Sequence, residues 1–301
     1  MSESPVVARG LSVFGPLRAE EEPWLEECFI PPADFDVMAE MNSIIVFSPA
    51  GGGKSAVRRM LAARVCKPDR APSLLIVEWQ PSPSVWEPAV GFESVPGQVA
   101  HIFDLCAMET LRYLASYPAA WATTPQWVQQ MLTWFVWRFL RGKATIRASD
   151  LLESEPGSSI VAQILQANVE DDLLPPNDWR LVTAEFSKAV QRLGLKGIWV
   201  MVDGAEQQMV QESDRLLPAL ISFLSTISLF EQGTFAYKVF LPAGFYMPLL
   251  TASGLDRRRF AAFHLTWSEE QLQRIAERRL SLALGKPDFP MKALCTAPRF
   301  L

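Results

Sequence analysis

Histidine and cysteine are nearly absent from this chain, which holds two of the first and four of the second among 301 residues. His101 and His264 stand among apolar neighbours, and Cys28, Cys66, Cys106 and Cys295 show neither metal-ligand spacing nor the regularity of a disulfide framework. That scarcity excludes a metal centre built on imidazole and thiolate, and both histidines read as structural. Also missing is any run of the ~18 consecutive apolar residues that a bilayer span needs. The nearest candidate, 216–230, is interrupted by Pro218, Ser222, Ser225, Thr226 and Ser228 and reads as a buried helix. There is no basic surplus either, because the net charge is −5 and the pI is near 5.3. A protein whose main task is to grip nucleic acid phosphates carries a basic balance or stripe. The N-terminus lacks the basic-then-apolar pattern of an export signal. These absences together imply a reducing cytoplasm and no membrane partner.

What the chain has in quantity is apolar bulk. Hydrophobic residues make up 49%, with ten Trp and eighteen Phe, enough to bury a full core in one large domain with attachments. Residues 1–40 read as a leader, with an acidic patch Glu20–Glu21–Glu22 before aromatics that pack on the core. The pattern predicts strands over 43–47, 73–79, 197–202, 237–241 and 261–267. Pro81, Pro83, Pro88 and Pro96 mark an irregular connection after the second. From about 98 to 195 the apolar spacing is helical, and the stripe Trp127, Trp134, Phe135, Trp137 and Phe139 reads as core rather than as a base-stacking platform. A helix is predicted over 214–230. Strands alternating with helices give an α/β fold with a parallel, helix-covered sheet. The last helix starts at Ser268, which caps with Gln271 while Trp267 staples against Leu272; Glu269 and Glu270 suit its positive end, Arg278 and Arg279 its negative one.

The most informative stretch is 43–56, where an apolar strand runs into Ser48-Pro49-Ala50-Gly51-Gly52-Gly53-Lys54-Ser55-Ala56. Glycines let main-chain N–H groups curl around an anion with no Cβ in the way, Lys54 supplies a point charge for β and γ phosphates, and Ser55 can hold Mg²⁺. The sequence after Ser55 has helical composition, so the phosphate also faces a helix N-terminus. The pattern departs from the common form at its first position, where Ser48 stands in place of glycine. A second element is the apolar strand that ends on Asp203, with a carboxylate able to reach Mg²⁺, and Glu206 three residues on, placed to orient or deprotonate an attacking water.

In this order, with arginines ahead of a fifth strand, the chain resembles the AAA+ and STAND branches of P-loop ATPases. Asp203-Gly204-Ala205-Glu206 looks like the NACHT-type variant. The resemblance implies a three-layer P-loop NTPase core over 41–267 with sheet order 5-1-4-3-2, the helical insertion at about 98–195, and a small C-terminal helical lid over 268–301. It implies ATP or ADP with Mg²⁺ between core and lid, and a nucleotide-dependent homo-oligomer that signals to a protein partner. One of Arg257, Arg258 and Arg259 would reach a neighbouring subunit's γ-phosphate, and Arg299 resembles the second sensor of AAA+ lids. Two departures stand beside it. The fourth strand ends Leu241-Pro242-Ala243 without a polar sensor, and the lid pattern stops at Leu301, so either the lid is small or the chain is a fragment. The expected function is an ATP-hydrolysing regulatory switch; the alternatives are a nucleotide-stabilised interaction module without turnover and a nucleic-acid-loading ATPase. A small-molecule kinase ranks last, for want of an acceptor pocket in the sequence.

Overall fold

The structure is a computed structural model that describes residues 19–66, 71–80, 94–153, 156–169, 173–175, 178–204, 217–218, 220–224, 232–252 and 260–295. Its centre is a sheet of β1 (Ile44–Ser48), β2 (Leu75–Trp79), β3 (Ile198–Val202), β4 (Phe235–Pro242) and β5 (Ala261–His264). The strands lie in the order β2-β3-β4-β1-β5, and every neighbouring pair is parallel. Counted from the β5 edge, the same sequence reads 5-1-4-3-2.

Side chains alternate across this sheet, and each face meets its own helices. On one face Phe47, Val77, Val200, Tyr237 and Val239 join a cluster with α2 (Ser94–Ser116), α3 (Gln126–Phe139) and α4 (Trp179–Arg192). On the other face Ile44, Val46, Trp199, Met201 and Phe240 pack with Val57 and Leu61 of α1 (Lys54–Val65) and with Phe35 and Met38 of the leader. Burial of a large apolar side chain stabilises by roughly 1.5–3 kcal/mol, so filling both faces is the main favourable term for this fold. β1 and β3 are buried along their full length because they lie inside the sheet, whereas β5 is a short, largely exposed edge.

Several boundaries differ from the sequence expectation, each for a local reason. β1 begins at Ile44 and takes in Ser48, which pairs in register with Pro242. β5 stops at His264, one ladder bond before the chain leaves the sheet: the Leu265 N–H still donates to the Phe47 carbonyl at 2.8 Å, and Ser268 then caps the helix that starts at Glu269. α2 begins at Ser94, which puts Pro96 in a first helical turn, where its missing N–H removes no helix bond. Of the helix expected over 214–230, residues 217–218 and 220–224 are helical and the remainder lies outside the described residues.

The aromatic stripe on α3 is only partly core. Trp134 and Phe135 are fully buried, and Phe135 stacks on Phe186 of α4 with centroids 3.8 Å apart. Trp127 and Trp137, by contrast, are 46% and 47% exposed. Trp137 follows Phe135 by two positions, about 200° around the helix, which turns it to the opposite side. Trp127 stands in the first turn of α3, beside Lys188 and Arg192 of α4.

The leader is held from three directions. Arg59 of α1 donates to the carbonyls of Ala19 and Glu22. Arg279 pairs with the buried Glu22 at 3.2 Å, and Arg278 donates to the Phe29 carbonyl at 2.8 Å. Those two arginines therefore do not neutralise a helix end, since α5 (Glu269–Leu284) continues past them and has no basic residue in its last turn. At the opposite end of the sheet Lys238, fully buried in β4, donates to the carbonyls of Glu40 and Asn42 at 2.6 and 2.7 Å and lies over the Trp199 ring.

Burial holds the Lys238 amine down at about 7 from an ordinary 10.5, against the pull of the Glu40 carboxylate. Between those two pH values the unfolded chain binds more protons than the folded one, so folding stability rises with pH across that window. We expect chemical denaturation of the wild type to gain up to about 4 kcal/mol relative to Lys238→Met between pH 7 and 10.5. Parallel pH profiles of the two proteins would contradict this.

Candidate functional site

β1 delivers the chain to a turn that only glycine can make at two of its positions. Gly51 and Gly53 have φ of 71° and 91°, in the left-handed region where a Cβ is strained. Gly52 is required for a different reason, because a Cβ there would lie 2.1 Å from Ser48 Oγ and 3.0 Å from the Pro49 carbonyl. Ser48 therefore fills, with its hydroxyl, the space beneath the loop. That hydroxyl is buried and has no hydrogen-bond partner among the described residues, an arrangement that costs about 1–3 kcal/mol.

α1 starts immediately afterwards, with Gly53 as its N-cap. No side chain caps the helix and its first turn contains no acidic residue. Among the described residues, the first N–H groups of α1 and the positive end of its dipole are thus left without an internal anion. Lys54 is buried, and its Nζ donates to the carbonyls of Ser48 and Pro49 at 3.3 and 3.2 Å, which folds the ammonium into the loop.

The second element arrives from the far side of β4. Asp203 follows the last residue of β3, and its Oδ2 accepts from Ser55 Oγ at 3.2 Å although 148 positions separate the two residues. Its Oδ1 accepts from the N–H of Gly204 at 2.8 Å, and Gly204 has a φ of 89° that again requires glycine. The carboxylate is also engaged by Arg58, whose Nε lies 3.0 Å from Oδ2 while its Nη1 reaches Glu78 of β2 at 2.7 Å. Arg58 is 3% exposed. Sequence reasoning passed over it, yet its position is the one helical turn past Lys54 that faces the sheet.

A further side chain against the loop is Trp267, expected from sequence to staple against Leu272. Leu272 is instead exposed, and the Trp267 indole N–H donates to the Gly52 carbonyl at 2.9 Å. The capping box of Ser268 and Gln271 forms as the sequence indicates. Of the other expected site residues, Pro49 and Ala50 form the exposed crest of the loop and Ala56 lies half-buried on α1. Glu206, Arg257, Arg258, Arg259 and Arg299 lie outside the described residues.

The histidines take part in ring and hydrogen-bond packing. His101 Nδ1 accepts from the Trp79 indole at 3.1 Å, and burial lowers its pKa; His264 stacks on Phe47 and meets the edge of Tyr246. Among the described residues no cluster of three or more His, Cys, Asp or Glu could hold a metal by protein ligands alone. A Ser55 and Asp203 pair fits Mg²⁺ only where phosphate oxygens and water complete its shell. No family model, no curated protein and no solved structure matches this chain. Among the described residues no helix is long and apolar enough to cross a membrane.

Arg58 joins two carboxylates across three elements, so its removal leaves Asp203 without its cation. Arg58→Met is expected to cost about 2–4 kcal/mol in denaturant unfolding, and in a double-mutant cycle with Asp203→Asn the pair should couple by more than about 1 kcal/mol. Additive losses would show that the two side chains do not act together.

Proposed function

We propose that the chain is a P-loop ATPase that uses nucleotide binding as a regulatory switch, in keeping with the resemblance of its motifs to the AAA+ and STAND branches. The observation that carries this reading is the meeting of Ser55 with Asp203 at 3.2 Å beside a glycine loop whose helix N-terminus has no acid of its own. A hydroxyl in the first turn of α1 and a carboxylate just past the end of β3 converge where a phosphate-bound cation would need them.

In this reading the N–H groups of Gly53, Lys54 and Ser55 hold the phosphates, while the Gly52 N–H closes the loop on the Pro49 carbonyl at 3.1 Å, and Lys54 adds a charge that turns from loop carbonyls to phosphate oxygens. Ser55 and Asp203 hold Mg²⁺, which when bound supplies charge neutralisation across the β and γ phosphates. Arg58 keeps Asp203 oriented and balanced while no cation is there. Glu206 orients or deprotonates the attacking water, and one of Arg257, Arg258 and Arg259 completes the site of a neighbouring copy. The nucleotide state then sets assembly and the signal to a protein partner. The acidic balance of the chain speaks against nucleic acid as that partner.

A second reading, binding without turnover, is favoured by β4, which ends on Pro242 with no polar side chain toward the γ-phosphate. Equal and negligible hydrolysis by the wild type and Glu206→Gln would select it.

Calorimetry decides the shared premise. The wild type should bind ATP more tightly with Mg²⁺ than with a chelator, Lys54→Ala should lose at least tenfold in affinity (about 1.4 kcal/mol), and Asp203→Asn should lose the Mg²⁺ dependence while retaining residual binding. Absence of any nucleotide binding by the wild type would overturn both readings.

A further inference from the structure

We propose that Trp267 is a positioning residue for the phosphate loop, and that its indole N–H fixes which way the peptide between Gly52 and Gly53 faces. The inference rests on the phosphate-loop reading and adds a residue outside the loop to it.

The argument starts from peptide geometry. In a trans peptide the C=O of one residue and the N–H of the next point in opposite directions, and the described residues contain no cis bond. The Gly52 carbonyl is held by Trp267 Nε1 at 2.9 Å. The Gly53 N–H of the same plane therefore points away from the indole, and it meets no protein acceptor among the described residues. This donor stands one residue before Lys54 and is left for an anion.

Such a plane needs an external anchor. Rotating it changes ψ of Gly52 and φ of Gly53, and both residues lack the Cβ that would bar the alternative. A flipped peptide would present a carbonyl where the loop has to offer an N–H, repelling phosphate instead of binding it. Trp267 supplies the anchor on a rigid base. Leu265 is buried and bonded to Phe47 just before it, Ser268 is locked in the capping box just after it, and the ring lies against Gly53, where an added Cβ would meet Cζ2 at 3.5 Å.

The test uses two ligands, because contact with the base and control of the cradle predict different losses. Calorimetry with Mg²⁺-pyrophosphate and Mg²⁺-ATP should show that Trp267→Phe, which keeps a ring but no N–H, weakens both by a similar factor of about ten. The thermal midpoint without ligand serves as the folding control for the variant. In protein labelled with ¹⁵N-glycine, the Gly53 amide resonance should shift with pyrophosphate in the wild type and not in the variant at the same concentration. Unchanged affinity for both ligands, or loss for ATP alone, overturns the role of Trp267 and leaves the phosphate loop standing. Failure of the wild type to bind either ligand overturns the loop reading, and this inference with it.

Discussion

The Asp203 carboxylate has three claims on it, from the Ser55 hydroxyl, the Arg58 guanidinium and the Gly204 N–H, and the rest of the site depends on how they are shared. Two of the three donors sit on α1, so this one side chain ties the helix that follows the glycine loop to the end of β3. Because Arg58 is nearly free of solvent, the attraction is screened less than a surface pair would be. The same burial makes the arginine costly to leave alone. Glu78 at 2.7 Å supplies Arg58 with a second counter-charge.

A second set of contacts links the loop to the periphery. Trp267 connects the loop to the start of α5, Arg279 and Arg278 connect α5 to the leader, and Arg59 connects the leader back to α1. The result is a closed circuit of polar contacts around the second face of the sheet, in which each helix is held by its neighbour's main chain.

The glycine loop, Lys54, Ser55 and Asp203 were legible in the sequence because each belongs to a short local pattern whose spacing is set by the backbone. The strands were legible because parallel strands covered on both faces read as nearly continuous apolar runs. Arg58, Trp267 and the split character of the α3 aromatics were not. Arg58 looks like one of several basic residues on a helix until the sheet puts Asp203 and Glu78 beside it. Trp267 had a plausible local use as a staple, and only the end of β5 beside β1 brings it to Gly52. Trp127 and Trp137 share the composition of their buried neighbours, and only the packing of α2 and α4 on α3 decides which side of that helix is core.

By itself the sequence determined where the chain could turn, because three successive glycines allow the left-handed φ of 71° and 91° found at Gly51 and Gly53, and the Gly- and Pro-free run after them has helical composition. It also determined which segments were apolar enough to lie inside a parallel sheet. The tertiary structure alone decided which distant polar groups would meet. Hydrogen bonds and ion pairs act over a few ångströms, and the 148 positions between Ser55 and Asp203 close to that range only because the parallel sheet sets β1 and β3 with the same direction, one strand apart, so that the end of β3 reaches the start of α1.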